Sequence, residues 1–155
     1  MGLDISEVAG GGKSFQFDEI GDKCSGKITL IERRQQRAFD SGKPLEWDDG
    51  TPRMLTYVEV ETSLRDDDDD DGIRALYCKG GNFEIAEGQG VSAEQALVQA
   101  AKDAKVKTLD EGGDLDMVFS GRSKATVRGY QPAKLFVARY SPPVASVAAD
   151  DLFAS

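Results

Sequence analysis

The 155-residue chain contains no histidine and only two cysteines, Cys24 and Cys78, far apart in sequence. The commonest general base and the commonest zinc ligand are therefore missing, which argues against a Cys/His metal site and against histidine-based catalysis. The cysteines read as buried, reduced thiols. No run approaches the roughly 20 apolar residues needed to cross a bilayer, and the opening MGLDISEVAG is acidic and poor in apolar residues, so neither a membrane span nor a signal peptide is expected. A cytoplasmic location follows. Basic residues are outnumbered, 19 against 28 acidic ones, for a net charge of −9. That balance disfavours a nucleic-acid partner until its distribution is considered.

The acids are bunched. Asp66 to Asp71 and the pair Asp150 and Asp151 carry eight of the nine net negative charges. The rest of the chain is nearly neutral and holds local basic runs: Arg33, Arg34 and Arg37, then Arg122, Lys124 and Arg128. A polyanion responds to the field within a Debye length of about 8–10 Å, so such runs remain usable. Seven Phe, four Tyr and one Trp supply enough large apolar side chains for one domain with a real core.

Three segments follow. Residues 1–13 are Gly-rich and aperiodic and read as a flexible lead-in, residues 14–141 as the folded domain, and residues 142–155 as a disordered acidic tail after Pro142-Pro143. Within the domain a first strand is expected over 23–31, with Cys24, Gly26, Ile28 and Leu30 on one face. Residues 32–53 form a long loop with two turn clusters, and a loop of that length in a compact domain is usually functional. A second strand, 54–64, alternates Thr56, Val58, Val60 and Thr62 against Tyr57, Glu59 and Glu61. The six aspartates form a solvated hairpin tip before a third strand over 73–79, and residues 82–90 form a connector. Ser92 and Gln95 predict a capping box for a helix whose apolar stripe is Ala93, Ala96, Leu97, Ala100, Ala101 and Ala104. Strands over 115–120 and 135–140 complete the domain, separated by a basic loop, 121–134.

The order β-β-β-α-β-β with a long first loop is that of an OB-fold, a mainly β, five-stranded barrel (β1-β2-β3-α-β4-β5) with one helix. An OB barrel takes oligonucleotides across its second and third strands and between the loops joining strands one to two and four to five. Those places hold Arg33, Arg34, Arg37, Phe39, Trp47 and Arg53 in or beside the long loop, Tyr57, Arg74 and Tyr77 on the strands, and Arg122, Lys124, Arg128 and Tyr130 in the last loop. Aromatic faces stack bases while cations track phosphates, which gives affinity with little sequence preference. The tail carries Asp150, Asp151, Leu152 and Phe153, an aromatic anchor with carboxylates that suits a basic-rimmed pocket on a partner protein.

Other motifs fall short. Gly12-Lys13-Ser14 lacks the first glycine of a phosphate loop, whose place is held by Glu7. The aspartate run lacks the spaced ligands, central Gly and distal Glu of an EF-hand. No catalytic set, metal site or cofactor is expected. Two alternatives stand beside DNA binding: an acidic DNA mimic that inhibits a host nuclease, which calls for acids spread over a face, and a metal-dependent nuclease using Asp40, Asp48 and Asp49.

Five stretches, GGGKSFQF (10–17), GKITLIERRQQRAFDSGKPLEWDDGTPR (26–53), LRDDDDDDGIRALYCKGG (64–81), AKLFVARY (133–140) and DDLF (150–153), resemble the single-stranded DNA-binding proteins of tailed bacteriophages, particularly those infecting actinobacteria. The resemblance spans nearly the whole chain. It implies an OB-fold that coats single-stranded DNA in replication, recombination or repair, acts in the host cytoplasm, and uses its tail to recruit replication or repair proteins. A homo-oligomer is compatible with it. In the bacterial counterparts the acidic tip ends in Pro-Phe with a terminal carboxylate, whereas here Leu152-Phe153 is followed by two further residues.

Overall fold

Alternation of apolar and polar residues builds the domain. The structure is a computed structural model that describes residues 13–38, 40–125 and 132–143. Seven strands and one helix occur among the described residues: β1 (Lys13–Ser14), β2 (Lys23–Gln35), β3 (Met54–Glu61), β4 (Ile73–Cys78), β5 (Ile85–Gly88), α1 (Ala93–Asp103), β6 (Asp114–Ser123) and β7 (Lys134–Ser141). They form one sheet in the order β1-β4-β3-β2-β6-β5, with β7 also paired to β6. Every pairing is antiparallel except that of β1 with β4. The result is mainly β with one helix: a curled, open sheet, or half-barrel, compatible with an OB-like fold.

The inner face of the curl is the core. Cys24 and Ile28 of β2, Val58 and Val60 of β3, Leu76 and Cys78 of β4, and Leu115, Met117 and Phe119 of β6 are buried there under Ala93, Ala96, Leu97 and Ala100 of α1. A helix face made chiefly of Ala lets the helix axis approach the sheet closely. Burial pushes both thiols up to about 12, so neither Cys24 nor Cys78 ionises near neutral pH. Gly26 is required where β2 runs close against the end of β3, since a Cβ there would lie 2.0 Å from the carbonyl oxygen of Glu61.

Three features depart from the sequence reading. First, the register of β2 against β3 shifts between Ile28 and Leu30. A bulge moves every later side chain of β2 to the opposite face, so Leu30 does not join Cys24 and Ile28 but packs with Leu55, Tyr57 and Ala75. Second, two strands were not expected. β1 falls across the boundary between lead-in and domain, and β5, exposed along its whole length, lies in the predicted connector. Third, the five-stranded barrel is not closed by hydrogen bonds between β4 and β7 among the described residues. Residues 15–18 run along the gap instead. Phe15 N–H donates to Ala75 O at 3.1 Å, Lys134 Nζ donates to Phe17 O, and the Phe17 ring meets Phe136 edge-on at 5.0 Å.

The helix starts as its cap predicts, with Ser92 Oγ accepting from Gln95 N–H at 3.3 Å. The reciprocal half of the box is spent elsewhere: the Gln95 amide donates to Asn82 Oδ1 at 3.0 Å and so ties the helix to the connector. No described helix is long and apolar enough to cross a membrane.

Candidate nucleic-acid interface

The outer face of β2, β3 and β4 carries the residues that strand alternation turns away from the core. Glu32 and Arg34 stand opposite Tyr57 and Leu55, and Tyr57 stands opposite Tyr77. Arg34 also pairs with Glu32, and its guanidinium lies 3.6 Å over the Tyr57 ring. The Tyr57 hydroxyl donates to Glu59 at 2.6 Å, and the Tyr77 ring meets Tyr57 edge-on at 5.0 Å. Tyr57 is thereby fully covered, while Tyr77 remains 48% exposed. Beside them opens a groove of about 670 Å³ lined by Glu32, Arg34, Gln35, Arg37, Leu55, Tyr77 and Lys79.

The long loop is folded back on itself. Gln36 N–H donates to Arg53 O, Leu45 N–H to Gln36 O and Arg53 N–H to Leu45 O, so three limbs of the loop are laced together. Two turns cap the limbs, Ala38 to Lys43 and Trp47 to Thr51. Asp49 organises the second turn by accepting from Thr51 N–H at 3.0 Å and Thr51 Oγ1 at 2.6 Å, bonds that hold its carboxyl below the usual range. Trp47 is thus presented on an ordered loop, 55% exposed, with the Arg53 guanidinium 4.5 Å from its ring. Arg37, exposed at the groove, donates to Gly42 O at 3.0 Å.

A second crevice, of about 460 Å³, lies in the gap between β4 and β7 and shares Tyr77 and Lys79 with the groove. Its other walls include Phe15, Phe17, Phe83, Phe136 and Lys134. The two form one path from the long loop across β4 to the start of β7. Lys79, Phe83 and Lys134 were not singled out in the sequence, although an aromatic among polar residues in the connector, Phe83, was a usable signal.

Other expected site residues line neither cavity, although Arg122 stands opposite Lys134 in the sheet. Arg74 points to the inner side. Its side chain is 5% exposed and donates two hydrogen bonds to Asp70, at 2.9 and 2.7 Å. Asp70 also accepts from the amides of Asp66 and Gly72, and its side chain is only 2% exposed. The Arg74 bonds, followed by these amides, hold its carboxyl well below the usual carboxylate range. The aspartate run is therefore a solvated tip with one member turned inward. Arg33 faces the helix, with Glu94 at 2.9 Å and Thr56 Oγ1 at 3.0 Å. Arg122 lies 3.6 Å from Glu87, and Lys124 3.5 Å from Glu84. Phe39, Arg128, Tyr130, Asp150, Asp151, Leu152 and Phe153 lie outside the described residues.

Among the described residues, no three His, Cys, Asp or Glu side chains gather in a group that could hold a metal ion. Comparison of the chain with protein-family models, curated proteins and solved structures found no match.

Proposed function

We propose that this chain is a non-catalytic protein that binds single-stranded DNA through an OB-fold and recruits other proteins through its acidic tail. In this reading β2, β3, β4, α1, β6 and β7 are the OB elements, and β1 and β5 are additions to them. The observation that carries it is the outer groove, where Arg34, Arg37 and Lys79 surround the half-exposed Tyr77 near an ordered loop bearing Trp47. Exposed rings stack bases at about 1–3 kcal/mol each, and the cations neutralise phosphates. Arg34 exchanges its partner Glu32 for a phosphate while keeping its place over Tyr57. Among the described residues no basic helix is offered to a major groove, which favours single strands over duplex.

The resemblance to phage single-stranded DNA-binding proteins supports the same reading and adds its setting: replication, recombination or repair of phage DNA in a host cytoplasm. Fluorescence anisotropy with labelled oligo-dT and a duplex of equal length tests it. Tight, salt-sensitive binding of oligo-dT alone, with the label intact after incubation with Mg²⁺, is expected. Equal affinity for both DNAs rejects the groove, a flat salt response favours the DNA-mimic alternative, and cleavage favours the nuclease.

A further inference from the structure

The crevice between β4 and β7 is a second place where the groove's ligand can go. Five rings are among its walls: Phe15, Phe17, Tyr77, Phe83 and Phe136. Phe15 and Phe17 meet at 4.6 Å, Phe17 meets Phe136 at 5.0 Å, and Phe83 stands on the rim, 39% exposed, folded back over Gly81 so that a Cβ there would lie 2.5 Å from the ring. Lys79 and Lys134 belong to the same lining, Lys134 held in place by its bond to Phe17 O. At about 460 Å³ it falls within the range of about 300–1,000 Å³ typical of small-molecule sites. Ser14 and Ser92 are the small hydroxyl groups among the lining residues.

We infer that this crevice receives one unstacked nucleobase of a single strand lying in the outer groove. The inference rests on the proposed DNA binding and extends it to a new subsite. Three observations point to a base rather than a peptide side chain. The crevice adjoins the cationic groove, with Tyr77 and Lys79 lining both, so a strand in the groove passes beside it. Its walls offer ring faces and edges, which hold a flat heterocycle by stacking and edge contacts. Its two cations are lysines, suited to the phosphates on either side of an inserted base. Phe83 is the ring that closes over the base, and Phe15 and Phe17, from the segment that runs along the gap, form the floor.

The test uses the full chain and oligo-dT carrying 5-iododeoxyuridine, crosslinked by near-ultraviolet light and mapped by peptide mass spectrometry. Adducts on Phe83 or Phe15, in addition to those on Trp47 or Tyr77, are expected. In parallel, Phe83→Ala is expected to weaken oligo-dT binding roughly tenfold, leave binding of an abasic oligomer of equal length unchanged, and leave the melting temperature unchanged. Adducts confined to Trp47 and Tyr77, together with unaltered oligo-dT affinity in Phe83→Ala, overturn the inference and leave DNA binding standing. Absence of any oligo-dT binding removes both.

Discussion

The two faces of β2, β3 and β4 are built from the same strands and do opposite work. On the inner face, Val58, Val60, Leu76 and Cys78 are buried apolar groups held by shape against Phe119, Met117 and the helix. On the outer face, Tyr57 is equally buried, but its cover is an arginine, a glutamate and a second tyrosine. The inner face is finished. The outer one is held by polar contacts that, in the proposed function, a nucleic acid exchanges for its own phosphates and bases. Neighbouring residues on one strand should therefore differ sharply in what they control.

Leu76 and Tyr77 give the largest contrast. Leu76→Ala opens a cavity in the core and is expected to cost about 2–5 kcal/mol of folding stability, measured by denaturant unfolding. Tyr77→Ala is expected to cost about 1–3 kcal/mol of oligo-dT affinity and little stability. Trp47→Ala should behave like Tyr77→Ala. Loss of stability with unchanged affinity in either aromatic variant would assign that ring to the core.

A smaller effect, confined to acid, concerns the Asp70–Arg74 pair. Its carboxyl is held below the unfolded value of about 3.9, so it contributes stability above that pH and loses the contribution as pH falls toward the folded value. Wild type is expected to melt above Asp70→Asn at neutral pH, with the gap narrowing as pH drops through about 4. A gap independent of pH would show that ionisation of Asp70 adds nothing. On the outer face, Arg37→Ala should reduce the log–log salt slope of oligo-dT binding by about 0.7, the loss of one phosphate contact. The least change is expected from truncation after Pro143: an unaltered melting temperature, oligo-dT affinity equal or slightly raised at low salt, and loss of replication proteins from pull-downs, an effect Phe153→Ala should reproduce. A destabilised truncation would show that the tail packs on the domain.

Much of the fold was legible because local rules agree with one another. Alternation marked β3 and β6, turn and proline boundaries marked β4 and β7, and Ser92 with an Ala stripe marked α1. Where the rules lacked a signal, elements were missed. β1 has two residues and depends on the gap beside β4, and β5 is exposed along its length, so no burial pattern reveals either. The bulge after Ile28 inverted the faces of β2 and placed Arg34, not Arg33, on the outer side. For Arg74 the signal was present. It shares parity with Leu76 and Cys78, which places it on the inner side and separates it from Tyr77. Lys79 and Lys134 were illegible as a pair, because the crevice that joins them is made by tertiary closure.

Trp47 offers the most direct test of the central claim, that the outer face and its loop form an interface for single strands. Its intrinsic fluorescence, read during titration of the full chain with oligo-dT and separately with duplex DNA, reports contact at the loop without any label. Saturable quenching by oligo-dT that weakens as salt rises, with little response to duplex, is expected. Unchanged Trp47 emission while oligo-dT is bound, or the same quenching by both DNAs, would contradict it.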